Sequence, residues 1–210
     1  PSQADTLEQC GEITIIPASR HDFFFIPDST TILGGYPSGG EANGPRDPHC
    51  NITILSGDIN HDGDSTGNSH HVVKTIDYLD AIYFDGFIIE QGNAIANMHE
   101  GGGWWDGSLS DSAKLIIRNT VFRNNFAVSG GGYYGEGNRD LMMSQSEFYD
   151  NTAITSGGGA YVGPIAVDQD TSFVRFENIL WHDNQVTDPM GTGGGLAGVA
   201  GAEPNEVIDI

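Results

Sequence analysis

The sequence predicts an all-β fold, a β-solenoid in which short parallel strands stack coil upon coil with irregular loop insertions between them. Three observations predict it. An aromatic residue precedes an asparagine by three positions at Phe122 and Asn125, Phe148 and Asn151, and Trp181 and Asn184. A glycine triplet follows each pair, starting at Gly130, Gly157 and Gly193. The asparagines are 26 and 33 residues apart, and self-similarity at a period of roughly 20–50 residues marks a stack of like units.

The elements follow from the residues between these landmarks. The runs 81–84, 87–89, 114–118, 141–143 and 172–176 are apolar and rich in β-formers, and none has the length of 3.6-periodic pattern that a helix needs. Gly, Asn, Asp and Ser clusters separate them, which is turn chemistry. Strands repeating at more than hairpin spacing pair with the coil above and below, about 4.8 Å apart. The aromatics Phe122, Phe148 and Trp181 are then expected to stack inward, and Asn125, Asn151 and Asn184 to bond backbone or each other at a bend. Unequal spacing makes 104–107, 135–139 and 164–170 candidate insertions.

At 210 residues the chain is expected to be one domain, with residues 1–50 forming a cap and first coils and 51–210 the repeat coils. It opens at Pro1 without a basic, apolar leader and closes on a strand-like Val207 to Ile210, so a processed or truncated form is expected. No apolar run approaches the ~20 residues of a membrane-spanning helix. The formal charge is −21, from 29 acidic and 8 basic residues, which excludes nucleic acid as a partner because neutralising phosphates needs Lys and Arg.

The pairing of an F-x-x-N step with a glycine triplet resembles the repeats of chlamydial-type polymorphic outer-membrane proteins. It is also similar to bacterial secreted right-handed parallel β-helix proteins with a pectate-lyase-like fold. The segments 31–36, 53–60 and 68–73 are similar to N-terminal stretches of that set, and the resemblance spans about residues 28 to 198. Ile89-Glu-Gln-Gly92 departs from the pattern. The resemblance implies a right-handed coil and an extracellular or cell-surface location. It does not fix an activity, since such folds carry lyases, hydrolases, adhesins and structural proteins. In a secreted chain, Cys10 and Cys50 form an expected disulfide closing 40 residues, worth about 3–4 kcal/mol; two unrelated buried thiols are the alternative.

Residues with chemistry are few. Asp58-Ile-Asn-His-Asp-Gly-Asp64 places oxygen donors at Asp58, Asn60, Asp62 and Asp64 with Gly63 at the turn, as in the opening of a calcium loop. Ser69 stands where a helix–loop–helix site has a bidentate Glu, so this is no EF-hand. Calcium is the expected cofactor; an acidic turn bonding its own backbone explains the same residues. If 69–73 is a strand, His70 and His71 face opposite sides and cannot share a metal, while His49, His99 and His182 are isolated. A lyase needs a base, and Lys114, Arg118, Arg123 and Arg175 show no convergent spacing. Asp150 and Asp183 align just before their asparagines, as a solvated ladder. Gly63-Asp-Ser-Thr-Gly67 lacks the strand and helix of a nucleophile elbow.

Trp104, Trp105, Tyr133 and Tyr134 are candidate interaction aromatics, the tryptophan pair as an exposed loop, whereas Tyr161 and Trp181 are expected in the core. The function expected is an extracellular structural or adhesive β-helix, self-associating head to tail into filaments. The alternative is a carbohydrate-binding module or a calcium-dependent polysaccharide lyase.

Overall fold

The computed structural model describes residues 11–40, 44–95, 99–108, 113–136, 140–163 and 173–198. Among them are twenty strands and no α-helix, and thus no helix long and apolar enough to cross a membrane.

The strands form four sheets. One joins β1 (Gly11–Ile15), β4 (Asn51–Ser56), β7 (Ile88–Glu90), β10 (Val121–Arg123), β14 (Glu147–Tyr149) and β18 (Leu180–His182) in that order. A second joins β2 (Phe24–Phe25), β5 (Val73–Thr75), β8 (Trp104–Asp106), β12 (Tyr133–Gly135), β16 (Ala160–Val162) and β20 (Leu196–Gly198). A third joins β3 (Thr31–Leu33), β6 (Ala81–Asp85), β9 (Lys114–Arg118), β13 (Asp140–Ser144) and β17 (Val174–Glu177). The smallest joins β11 (Phe126–Ser129), β15 (Thr152–Ser156) and β19 (Gln185–Val186). Every named pairing in the four sheets is parallel.

The chain visits the sheets in rotation. Strands β9, β10, β11 and β12 lie in four different sheets, and β13 to β16 repeat that order one place along. Like therefore lies over like: Phe122 pairs with Phe148 and Phe148 with Trp181. Their rings stack at 4.4 Å, the first pair only 6° from parallel. Such pairs add about 0.5–1.5 kcal/mol beyond the area they bury. Alternation along the third sheet sends Ile82 and Phe84, Leu115 and Ile117, and Leu141 and Met143 into one core with Phe122 and Phe148.

Two corners recur on each turn. Asn124, Asp150 and Asp183, immediately before the repeated asparagines, have φ of 53°, 52° and 55°. The equivalent earlier corner is Asn119, Gln145 and Asn178, at 45°, 52° and 53°. This left-handed conformation suits short polar side chains that bond locally. Asp150 and Asp183 are thus corner residues, and the bend lies one residue before the asparagine. The triplets serve close approach: a Cβ on Gly158 would collide with the carbonyl oxygens of Gln185 and Gly194.

One expected insertion is corrected. Residues 104–106 are β8, paired with β5 and β12, rather than a bulging loop. The triplet Gly101 to Gly103 leads straight into the strand, whose first residue, Trp104, points inward and is 0% exposed. Tyr133 follows its own triplet in the same way and is equally buried. As interaction aromatics, Trp104 and Tyr133 are therefore excluded. Tyr134 is also buried at 7% exposure, leaving Trp105, half-buried, as the accessible member of the four. Segment 164–170 and most of 135–139 lie outside the described residues.

Candidate functional site

The first strands of the second sheet build a cleft of about 360 Å³. Strands β2, β5 and β8 are neighbours there, with Phe25 paired to Lys74 and Lys74 to Trp105. The residues leading into each strand line the cleft: Arg20 and His21 before β2, His70 and His71 before β5, and His99 and Glu100 before β8. Parallel pairing extends back into this approach, since the His70 N–H donates to the Arg20 carbonyl at 2.9 Å. His21 and His70, each three residues ahead of a paired strand residue, accordingly lie ring to ring at 5.1 Å. His99 closes the group, 6.1 Å from His70 and 5.8 Å from His71.

This corrects the expectation that His70 and His71 face opposite ways. That expectation needed a strand from Ser69, but β5 starts at Val73, and both histidines occupy the corner before it. At a corner the two-residue alternation of a strand does not apply. His21, Arg20 and Lys74 were not singled out by sequence reasoning. Their signal is positional, each lying at or just before a strand of the same sheet.

The electrostatics of the cleft follow from burial. Burial pushes the His71 imidazole down to about 4, opposed by its Nδ1 contact to the Gly101 carbonyl at 2.9 Å, with Lys74, His99 and His70 pushing further down. His70 is likewise lowered, first by burial and then by Arg20, His21 and His99. The Lys74 amine is lowered by burial. It sits 4.8 Å from the ring centre of Phe23 and 4.4 Å from that of Trp105, a cation–π pairing that fixes it in the cleft wall. Near neutral pH the cleft thus presents the uncharged imidazoles of His70 and His71 beside a guanidinium and an ammonium.

No group of three or more His, Cys, Asp or Glu among the described residues is arranged to hold a metal ion. In the acidic loop, Asp58, Asn60, Asp62 and Asp64 bond one another and the backbone of their own turn. The Asp58 carboxylate accepts the N–H groups of Asp62 and Gly63, at 3.3 and 3.0 Å. Asp62 accepts the Asp64 N–H at 2.8 Å and the Asn60 amide at 2.7 Å, and Asp64 accepts the Thr66 N–H at 2.7 Å. These carboxylates fold their own turn.

The repeated asparagines are placed deep in the wall. Asn125 and Asn151 are 0% exposed. Each Nδ2 donates to the Oδ1 of the next asparagine at 3.0 Å and to a carbonyl of the preceding turn, Ile89 for Asn125 and Phe122 for Asn151. Trp181 and Tyr161 are partly buried. A second buried polar group centres on Asp106, whose carboxylate accepts the hydroxyls of Tyr78 and Tyr133 at 3.2 and 2.9 Å. Of the basic residues weighed as a lyase base, Lys114, Arg123 and Arg175 pair with Asp140, Glu90 and Glu177. His182 pairs with Glu147 and Asp183, far along the stack from the other histidines. No cysteine among the described residues is free, so Cys50 is bonded; its expected partner Cys10 lies outside them.

No family model matches the chain, and neither a curated protein nor a solved structure matches it.

Proposed function

We propose that the chain is a right-handed parallel β-helix of an extracellular or cell-surface adhesive protein, a rigid wall whose basic cleft engages carbohydrate. The handedness rests on a general rule: crossovers between parallel strands of one sheet are right-handed in about 98% of cases. The repeated F-x-x-N and glycine steps support the secreted class through their resemblance.

One observation carries the binding role. In a chain of charge −21, Arg20, Lys74 and the histidines 21, 70, 71 and 99 gather in one concavity beside the rings of Phe23 and Trp105. Aromatic walls with a few convergent polar groups, in a volume of roughly 300–1,000 Å³, are the usual makings of a small-ligand site. An adhesive role suits the rest of the molecule, where corner, ladder and core residues are engaged with one another. The lyase alternative loses support, because three of its four candidate bases are held in ion pairs away from the cleft.

The test is a panel of immobilised glycans probed with the purified protein and with Trp105→Ala. The reading predicts retention on a subset of glycans and weaker retention of the variant. A folded protein that binds none of them contradicts it.

A further inference from the structure

We infer that the cleft holds an oxyanion group of its ligand, a carboxylate or sulfate on a sugar, between Arg20, Lys74 and the imidazoles of His70 and His71. The inference rests on the reading of this cleft as a carbohydrate site and names the chemistry the site selects.

Cations are scarce in this chain, 8 Lys and Arg against 29 Asp and Glu, yet two of them share this cleft with a single acidic lining residue, Glu100. In so acidic a chain a surface cation has carboxylates at hand, as Lys114, Arg123 and Arg175 show. Neither Arg20 nor Lys74 has one: no described carboxylate makes an ion pair with either. The Arg20 Nε is buried with no hydrogen-bond partner at all. The guanidinium is thus not committed to a carboxylate of the chain, and its other N–H groups are free to meet an oxyanion from the cleft side. Guanidinium suits this role because its fork matches two oxygens of one carboxylate or sulfate. Lys74 is pinned by Phe23 and Trp105 rather than swinging freely, so its ammonium is positioned before the ligand arrives. The surrounding −21 charge repels anions at long range, which makes the local geometry, rather than bulk attraction, the source of selectivity.

Proton uptake accompanies this binding. Every charged or titratable group around His70 and His71 is basic except Glu100: Arg20 and His21 from the approach to β2, Lys74 from β5, and His99 from the approach to β8. Burial first, and these neighbours after it, hold the two imidazoles neutral. A negative ligand reverses the balance and raises their proton affinity. Binding therefore tightens as pH falls below neutrality, and each bound ligand draws protons from the buffer.

Isothermal titration calorimetry at low ionic strength tests this with glucuronate, glucose and inorganic sulfate, in two buffers of different ionisation enthalpy. The expected result is binding of glucuronate and not glucose, with buffer-dependent heat showing proton uptake. Arg20→Gln and Lys74→Met should each weaken binding about tenfold or more, while Arg175→Gln, outside the cleft, should not. Arg20 lies outside the strands, so Arg20→Gln decides the matter if Lys74→Met fails to fold. Glucose binding as tightly as glucuronate overturns the oxyanion inference and leaves the carbohydrate reading standing. Sulfate binding without either sugar does the reverse. No binding by any of the three overturns both.

Discussion

The side-chain amide of Asn125 donates to the Oδ1 of Asn151 across 3.0 Å, and that same Oδ1 accepts the Asn125 backbone N–H at 3.2 Å. Asn151 stands in the same relation to Asn184. The Asn151 side chain thus satisfies two backbone groups of the preceding turn, the Asn125 N–H and the Phe122 carbonyl, and joins the side chains of Asn125 and Asn184 on either side, in a wall where water cannot replace it.

Asn151→Ala removes these bonds from the middle of the ladder and should destabilise the protein by about 1–3 kcal/mol, because buried partners are left unpaired. Chemical denaturation measures it. A neutral substitution contradicts the ladder's role in stability.

Trp104 and Trp105 should respond very differently to truncation. Trp104, fully buried with its Nε1 donating to Thr75 at 3.0 Å, should cost about 3–5 kcal/mol as Trp104→Ala. Trp105→Ala should cost about 1–2 kcal/mol, since the ring is half-buried and its main partner is Lys74. Equal losses on thermal or chemical unfolding contradict the assignment of inward and outward faces.

His71 makes stability depend on pH in a defined window. Its folded value, about 4, lies below the ordinary 6.5, so the unfolded chain binds the proton more readily. The unfolded state is therefore favoured as pH falls from about 6.5 to 4, and this contribution is fully present above that window. The loss at pH 4 should reach about 2–3 kcal/mol from this group. His71→Gln should flatten the unfolding free energy across that range; an unchanged slope contradicts the burial of a neutral imidazole.

The acidic loop closes on itself, with Asp58 accepting two backbone N–H groups and Asp62 one backbone N–H and the Asn60 amide. Adding EDTA should leave the melting temperature unchanged. A clear drop, restored by calcium, would place the ion at Asp58, Asn60, Asp62 and Asp64.

The repeat was legible because stacking demands like residues at like positions of successive strands, and Phe122, Phe148 and Trp181 advertise it. The inward face of Trp104 was legible too, had the triplets been aligned: Gly103-Trp104, Gly132-Tyr133 and Gly159-Ala160 are one position. Two adjacent tryptophans read as a loop only when the strand after the triplet is overlooked. The cleft was hidden for a different reason. It is built on the first turns, where no F-x-x-N step exists and the 58–67 loop separates β4 from β5, so His21 and His70 share no visible period with the later coils. Strand boundaries carry such sites, and a shift from Ser69 to Val73 turned two opposed histidines into neighbours.

Nuclear magnetic resonance of protein with isotope-labelled asparagine tests the parallel stack most directly. Adjacent rungs are about 4.8 Å apart, so cross-relaxation should link the side-chain amides of Asn125 with Asn151 and of Asn151 with Asn184, but not Asn125 with Asn184, two rungs away. Loss of those two links, or close α-proton contacts of antiparallel strands, contradicts a chain that winds in one direction.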